Sequence, residues 1–150
     1  MQIDASTYTV GGAVPTGNHP AHIVLAPDNQ TAYVTNSEDN TVSVIDVASM
    51  EVIATIPVGN YPHGMRPSPD GKWLYVANMQ DTTLSVIETS TNTKMADIEV
   101  GNAPVQVGFS PEGEFVYASL NGENKLVKVK VSTCHVLDKV EVGVGPVQVF

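Results

Sequence analysis

His19, His22 and His63 hold most of this sequence's capacity for site chemistry. They lie in two stretches of like design, GNHPAHIVL from Gly17 and GNYPHGMRP from Gly59. Imidazole is the commonest protein ligand for copper, zinc and haem iron. Three histidines brought to one point would therefore read as a metal or haem site, with Glu38, Asp39 and Asp81 as further oxygen ligands and a partner for each ring nitrogen facing away. Arg66 is the only arginine. It could grip an anion, but the simpler expectation is that it pairs with a nearby acid. Other chemistry finds no support: there is no G-x-S-x-G elbow, no H-E-x-x-H and no C-x-x-C. The adjacent acids Glu38 and Asp39 stand in a loop rather than across a cleft, which does not suit general acid–base work.

What positions these residues is a repeat. Gly17, Gly59, Gly101 and Gly143 follow one another at a constant step of 42 residues, and the same step carries Pro20 to Pro62, Pro104 and Pro146, and Tyr33 to Tyr75 and Tyr117. The units divide the chain as 1–16 (the end of one), 17–58, 59–100 and 101–142 (three whole copies) and 143–150 (the start of the next). A period of this length made of several short strands is the pattern of β-propeller blades, whereas helical repeats show 3.6-residue apolar spacing.

Four strands are expected in each unit, in the first whole copy near His22–Ala26, Thr31–Thr35, Thr41–Ile45 and Glu51–Val58. They are short and rich in Val, Ile, Thr and Tyr. Pro27-Asp28-Asn29, Pro69-Asp70-Gly71 and Pro111-Glu112-Gly113 supply the turn between the first two, because proline presets the bend and Asn or Gly tolerates positive φ. Trp73 and the tyrosine column read as packing between blades.

Tyr33-Val34-Thr35-Asn36, followed by NTVSVIDVASMEVIATIPVGN, resembles the YVTN type of β-propeller repeat over essentially the whole chain. The third unit drifts, with Tyr117-Ala118-Ser119-Leu120 at the tetrad and Lys128 and Lys130 where the others have Val or an acid. The resemblance implies an all-β propeller of four-stranded antiparallel blades, about three and a half of them present, in a ring of seven. It also implies a surface-layer or periplasmic setting, outside the cell or at its surface, and a relation to the haem propeller domain of cytochrome-type nitrite reductases. Since an open ring would leave an apolar blade face and strand edges in water, further blades of a longer chain, or other protein subunits, are expected to complete it.

Sixteen acids against seven bases give a net charge of −9, a poor surface for nucleic acid, which selects basic patches. The first whole unit carries Asp28, Glu38, Asp39, Asp46 and Glu51 without a Lys or Arg. No apolar run approaches the ~18 residues of a membrane span, and the first residues have no signal-peptide pattern. Cys134 is alone and forms no internal disulfide.

In a propeller the blade-to-blade connection and the loop between second and third strands share one face near the axis. His19, His22 and His63 are thus expected at the channel mouth with Glu38, Asp39, Arg66, Asp81 and Gln106. Equivalent positions in other units hold Asn102, Gln106 and Val105, which favours polar channel lining over a ligand set. His135, near an outer turn, is expected in solvent. Two function classes follow. One is a non-catalytic scaffold for protein binding or assembly, needing no cofactor; the other is a haem- or copper-binding domain of a periplasmic oxidoreductase.

Overall fold

The computed structural model describes residues 1–149. The chain opens with two short antiparallel strands, β1 (Gln2–Ile3) and β2 (Val10–Gly12). Three four-stranded antiparallel sheets follow, each paired in chain order. The first holds β3 (Pro20–Leu25), β4 (Thr31–Asn36), β5 (Thr41–Asp46) and β6 (Glu51–Pro57). The second holds β7 (Pro62–Pro67), β8 (Trp73–Asn78), β9 (Thr83–Glu88) and β10 (Thr93–Glu99). The third holds β11 (Pro104–Phe109), β12 (Phe115–Leu120), β13 (Lys125–Lys130) and β14 (His135–Glu141), with a 3₁₀ turn at Val131–Thr133. The described residues include no α-helix. The fold is the expected all-β partial propeller.

The first strand starts two residues earlier than the sequence suggests. Pro20, Pro62 and Pro104 each open their inner strand, a place where proline's missing N–H costs no ladder bond. The expected hairpin turns are present, with Asn29, Gly71 and Gly113 at φ 59°, 72° and 70°. Two further turns also use left-handed backbone in every copy. His19, Tyr61, Ala103 and Gly145 form one such column, and Tyr8, Met50, Asn92 and Cys134 the other. At these positions the repeated property is the backbone angle, and the side chain varies.

Blades hold together by the faces of their sheets. Between the first and second, Val24, Ala26, Tyr33, Val42, Val44 and Ile56 pack against Met65, Leu74, Val76 and Ile87. Between the second and third, Tyr75, Leu84, Val86, Ile98 and Val100 meet Val107, Val116, Ala118, Leu120, Val127 and Val129. Tyr75 and Phe109 meet edge to face, 5.3 Å between ring centres. Each large aliphatic side chain buried here stabilises the seam by roughly 1.5–3 kcal/mol.

The outer side of the first blade is different. Ile23 is 63% exposed, although Met65, its counterpart one repeat later, is fully buried. The segment from Met1 to Thr16 covers only part of this side, where Val14 packs on Ala32, Val34 and Ile45. A groove of about 420 Å³ is left, with Ile23, Leu25 and Val34 in its wall. In the second blade the corresponding surface is filled by the first.

Candidate functional site

Every inner strand carries an irregularity at the same place. The register shifts between Pro20 and His22, between Pro62 and Met65, and between Pro104 and Gln106. Such bulges re-aim side chains, and His22, His63 and Gln106 stand at or beside them. Inner strands of neighbouring blades also approach closely here. A side chain's first carbon at Gly64 would strike the Val105 carbonyl and the Gln106 side chain, so this position has room only for glycine. Gln106 turns its amide oxygen back to accept the Val107 N–H at 3.0 Å.

The three histidines do not converge. His19 sits in the left-handed turn column and shares a hydrogen bond with the Tyr61 hydroxyl, Nδ1 to oxygen 3.1 Å. His22 and His63 are neighbours instead, held by one side chain. The Thr35 hydroxyl accepts the His22 N–H at 3.0 Å and donates to the His63 carbonyl at 2.9 Å. Among the described residues no three His, Cys, Asp or Glu side chains stand close enough together to hold a metal ion.

The acids expected at the channel mouth are engaged locally. Asp39 accepts from the Asn18 main-chain N–H at 2.7 Å and from its side-chain amide at 2.8 Å. These bonds, the main-chain one foremost, hold its carboxyl below the ordinary range. Asp81 accepts the Thr82 N–H at 2.7 Å, and its carbonyl takes the Ala103 N–H. Glu123, in the same column as Asp39 and Asp81, takes the Asn102 N–H at 2.8 Å. The column thus fastens loops to one another, while Glu38 stays in solvent.

Arg66 corrects one expectation. Its side chain is exposed, and among the described residues every ion pair is made by a lysine and none by Arg66. It projects from an inner strand, paired across the sheet with Tyr75, and the loop acids Asp39 and Asp81 are taken up by main-chain N–H groups instead. His22 is half-buried, and burial first, then the charge of His63 and of Arg66, push its imidazole below the ordinary value of 6.5. The His63 Nδ1 is buried with no hydrogen-bond partner. His135 opens β14 exposed, and Cys134 is free and exposed.

A polar hub, which the reading of the sequence did not single out, sits behind this wall. The buried Asn36 amide donates to Thr41 and Ser43 at 3.0 and 2.9 Å and accepts the Gly17 N–H at 3.0 Å. Asn78 donates in the same way to Thr83 and Ser85. In the third blade all three positions change together, to Leu120, Lys125 and Val127, and Leu120 and Val127 join the apolar core. The signal was visible as Asn, Thr and Ser recurring in step inside otherwise apolar strands.

Radial blades of four antiparallel strands, stitched near an axis, define a propeller. The chain matches the model of the YNCE-like beta-propeller over residues 2–150, and it belongs to that family. Among solved structures it is similar to Kuenenia stuttgartiensis hydrazine synthase, at 24% identity and TM-score 0.84, over 93% of this chain and 41% of that one. It is also similar to U3-55K, at 15% identity and TM-score 0.76, over 84% of this chain and 41% of the other. The chain therefore spans about two-fifths of each, and at these identities the likeness is one of fold. No curated protein matches it in sequence.

Proposed function

We propose that the chain is a non-catalytic propeller scaffold that works by assembly, taking blades or subunits of protein onto its open side in a periplasmic or cell-surface setting. The observation that carries this reading is the groove on the first blade. Ile23, Leu25 and Val34 line it, and one repeat later Met65 and Val76 occupy the matching positions in a closed seam. That seam supports the inner two strands of a blade as the occupant, presenting a pair such as Val24 and Tyr33. The setting rests on the resemblance of the YVTN repeat to surface-layer and periplasmic propellers.

Sedimentation tests the assembly. The chain is expected to associate as its concentration rises, and Ile23→Glu with Leu25→Glu to keep it a single arc. If wild type and variant sediment alike as single arcs at every concentration, the reading fails.

A further inference from the structure

The seam between the first two blades is open at the end that carries the hairpin turns. A cavity of about 350 Å³ lies there, bordered by Asp28 and Asp70 of the two turns, with Thr31, Tyr33 and Thr89 also in its wall. One repeat later Thr31 becomes Trp73 and Thr89 becomes Val131, and both pack on the apolar core of the second seam. Ala26, also in the wall, becomes Ser68, whose hydroxyl donates to Asp70 at 2.6 Å. Small or polar residues thus stand in the first seam where bulk and an internal bond occupy the next.

Tyr33 points to a ligand. It is only 2% exposed, it lines the cavity, and among the described residues no group bonds to its hydroxyl. Burial first, and then the charge of Asp28, raise this phenol above its ordinary value of 10.0, so it stays protonated at neutral pH with its oxygen free to accept. Asp28 takes the Gln30 N–H at 2.9 Å with one oxygen and makes no ion pair among the described residues. Asp70 is paired at 3.6 Å with an exposed Lys72, a contact weak enough for a ligand to displace. The wall on the second blade is fixed, because Thr89 donates its hydroxyl to the Gly71 carbonyl at 2.6 Å and its N–H to the Lys72 carbonyl at 3.0 Å.

Two carboxylates and a phenol oxygen match the three N–H bonds of an ammonium ion. They suit a divalent metal less well: calcium takes about six to eight oxygens, and no three His, Cys, Asp or Glu side chains gather among the described residues. We propose that this cavity binds a primary ammonium group, the tip of a lysine side chain or of a small free amine, between the carboxylates of Asp28 and Asp70 with its third N–H on the Tyr33 oxygen. Tyr33 lines this cavity and Val34 lines the groove on the first blade. The two therefore lie on opposite faces of β4, and the proposal stands whatever fills the groove.

Titration with n-butylammonium at constant low ionic strength, followed by NMR of the Tyr33 ring and the Thr31 amide, tests it. A saturable shift is expected, absent with tetramethylammonium, which has the charge but no N–H. A blocked Gly-Lys-Gly peptide is the second probe: binding tighter than butylammonium assigns the group to a lysine side chain, equal or weaker binding to a free amine, and either supports the site. Asp28→Asn should weaken binding roughly tenfold or more, and Tyr33→Phe roughly threefold or more. Asp28 is exposed and the Tyr33 hydroxyl is unbonded, so both variants keep the fold, which circular dichroism verifies. Lys72→Gln, which removes the resident ammonium beside Asp70, should bind as tightly or more so. Thr31→Trp, which copies the second seam, should abolish binding. No saturable shift, an equal shift with tetramethylammonium, saturation by calcium chloride but not by the amine, or full binding by Asp28→Asn would overturn the proposal.

Discussion

Two letters of the YVTN tetrad have distinct jobs. Thr35 joins neighbouring blades through its hydroxyl, and Asn36 organises its own blade through its amide. Thr35→Val keeps the shape but leaves the part-buried His22 N–H and His63 carbonyl short of a partner. A loss of about 1–3 kcal/mol is expected, read by denaturant unfolding. The second blade already tolerates Ala77 at this position, so Ala77→Thr is the reciprocal test: a hydroxyl aimed at the Val105 carbonyl should recover part of that amount. For the hub, Asn36→Leu alone should destabilise by about 2–4 kcal/mol because Ser43 and the Gly17 N–H lose their partner. Adding Ser43→Val, the combination that the third blade uses in Leu120 and Val127, should restore part of the loss. If the two changes simply add, the positions are not coupled.

At the scale of elements, the seam between blades carries the stability. Leu74 is fully buried between β8 and the first blade, and Leu74→Ala is expected to cost about 2–5 kcal/mol. Gly64→Ala should cost about 1–3 kcal/mol by forcing apart inner strands that touch, and thermal unfolding reads both. The strands, their order and their hairpins were legible from the 42-residue step, since turn chemistry and β-branched runs recur with it. The site was legible only in part. Sequence spacing placed His22 and His63 together, but it could not show His19 turned to Tyr61, because that depends on a left-handed turn which three different side chains occupy. Nor did spacing show Arg66 unpaired. An acid nearby in sequence need not stand beside Arg66, whose neighbour across the sheet is Tyr75.

Over the whole molecule, acid should act in two stages. His22 has its folded proton affinity depressed, so the stability it contributes is complete above 6.5, the ordinary value, and is lost as the pH falls through the depressed one. Asp39, Asp46 and Glu123 are depressed as well, chiefly by main-chain N–H groups of Asn18, Ser49 and Asn102. Their contribution is complete above the ordinary carboxylate range, near 4, and disappears as the pH falls through their lowered values. Unfolding midpoints measured from about pH 8 to about pH 3 should therefore fall gently at first and steeply later. His22→Gln, which places at this position the residue that Gln106 holds two repeats on, should abolish the gentle fall and keep the steep one. A curve unchanged by the substitution would show that the first stage belongs to another group.

The two left-handed turn columns give the arc an unspent reserve. Tyr8, His19, Met50, Tyr61, Ala103 and Cys134 all hold a backbone shape that side chains resist, at roughly 1 kcal/mol for each such residue. Their neighbours one repeat away, Asn92 and Gly145, show what relaxed occupants look like. An engineer who wants a hardier arc thus needs no new contacts, only amide or glycine at intervals the chain itself has marked out.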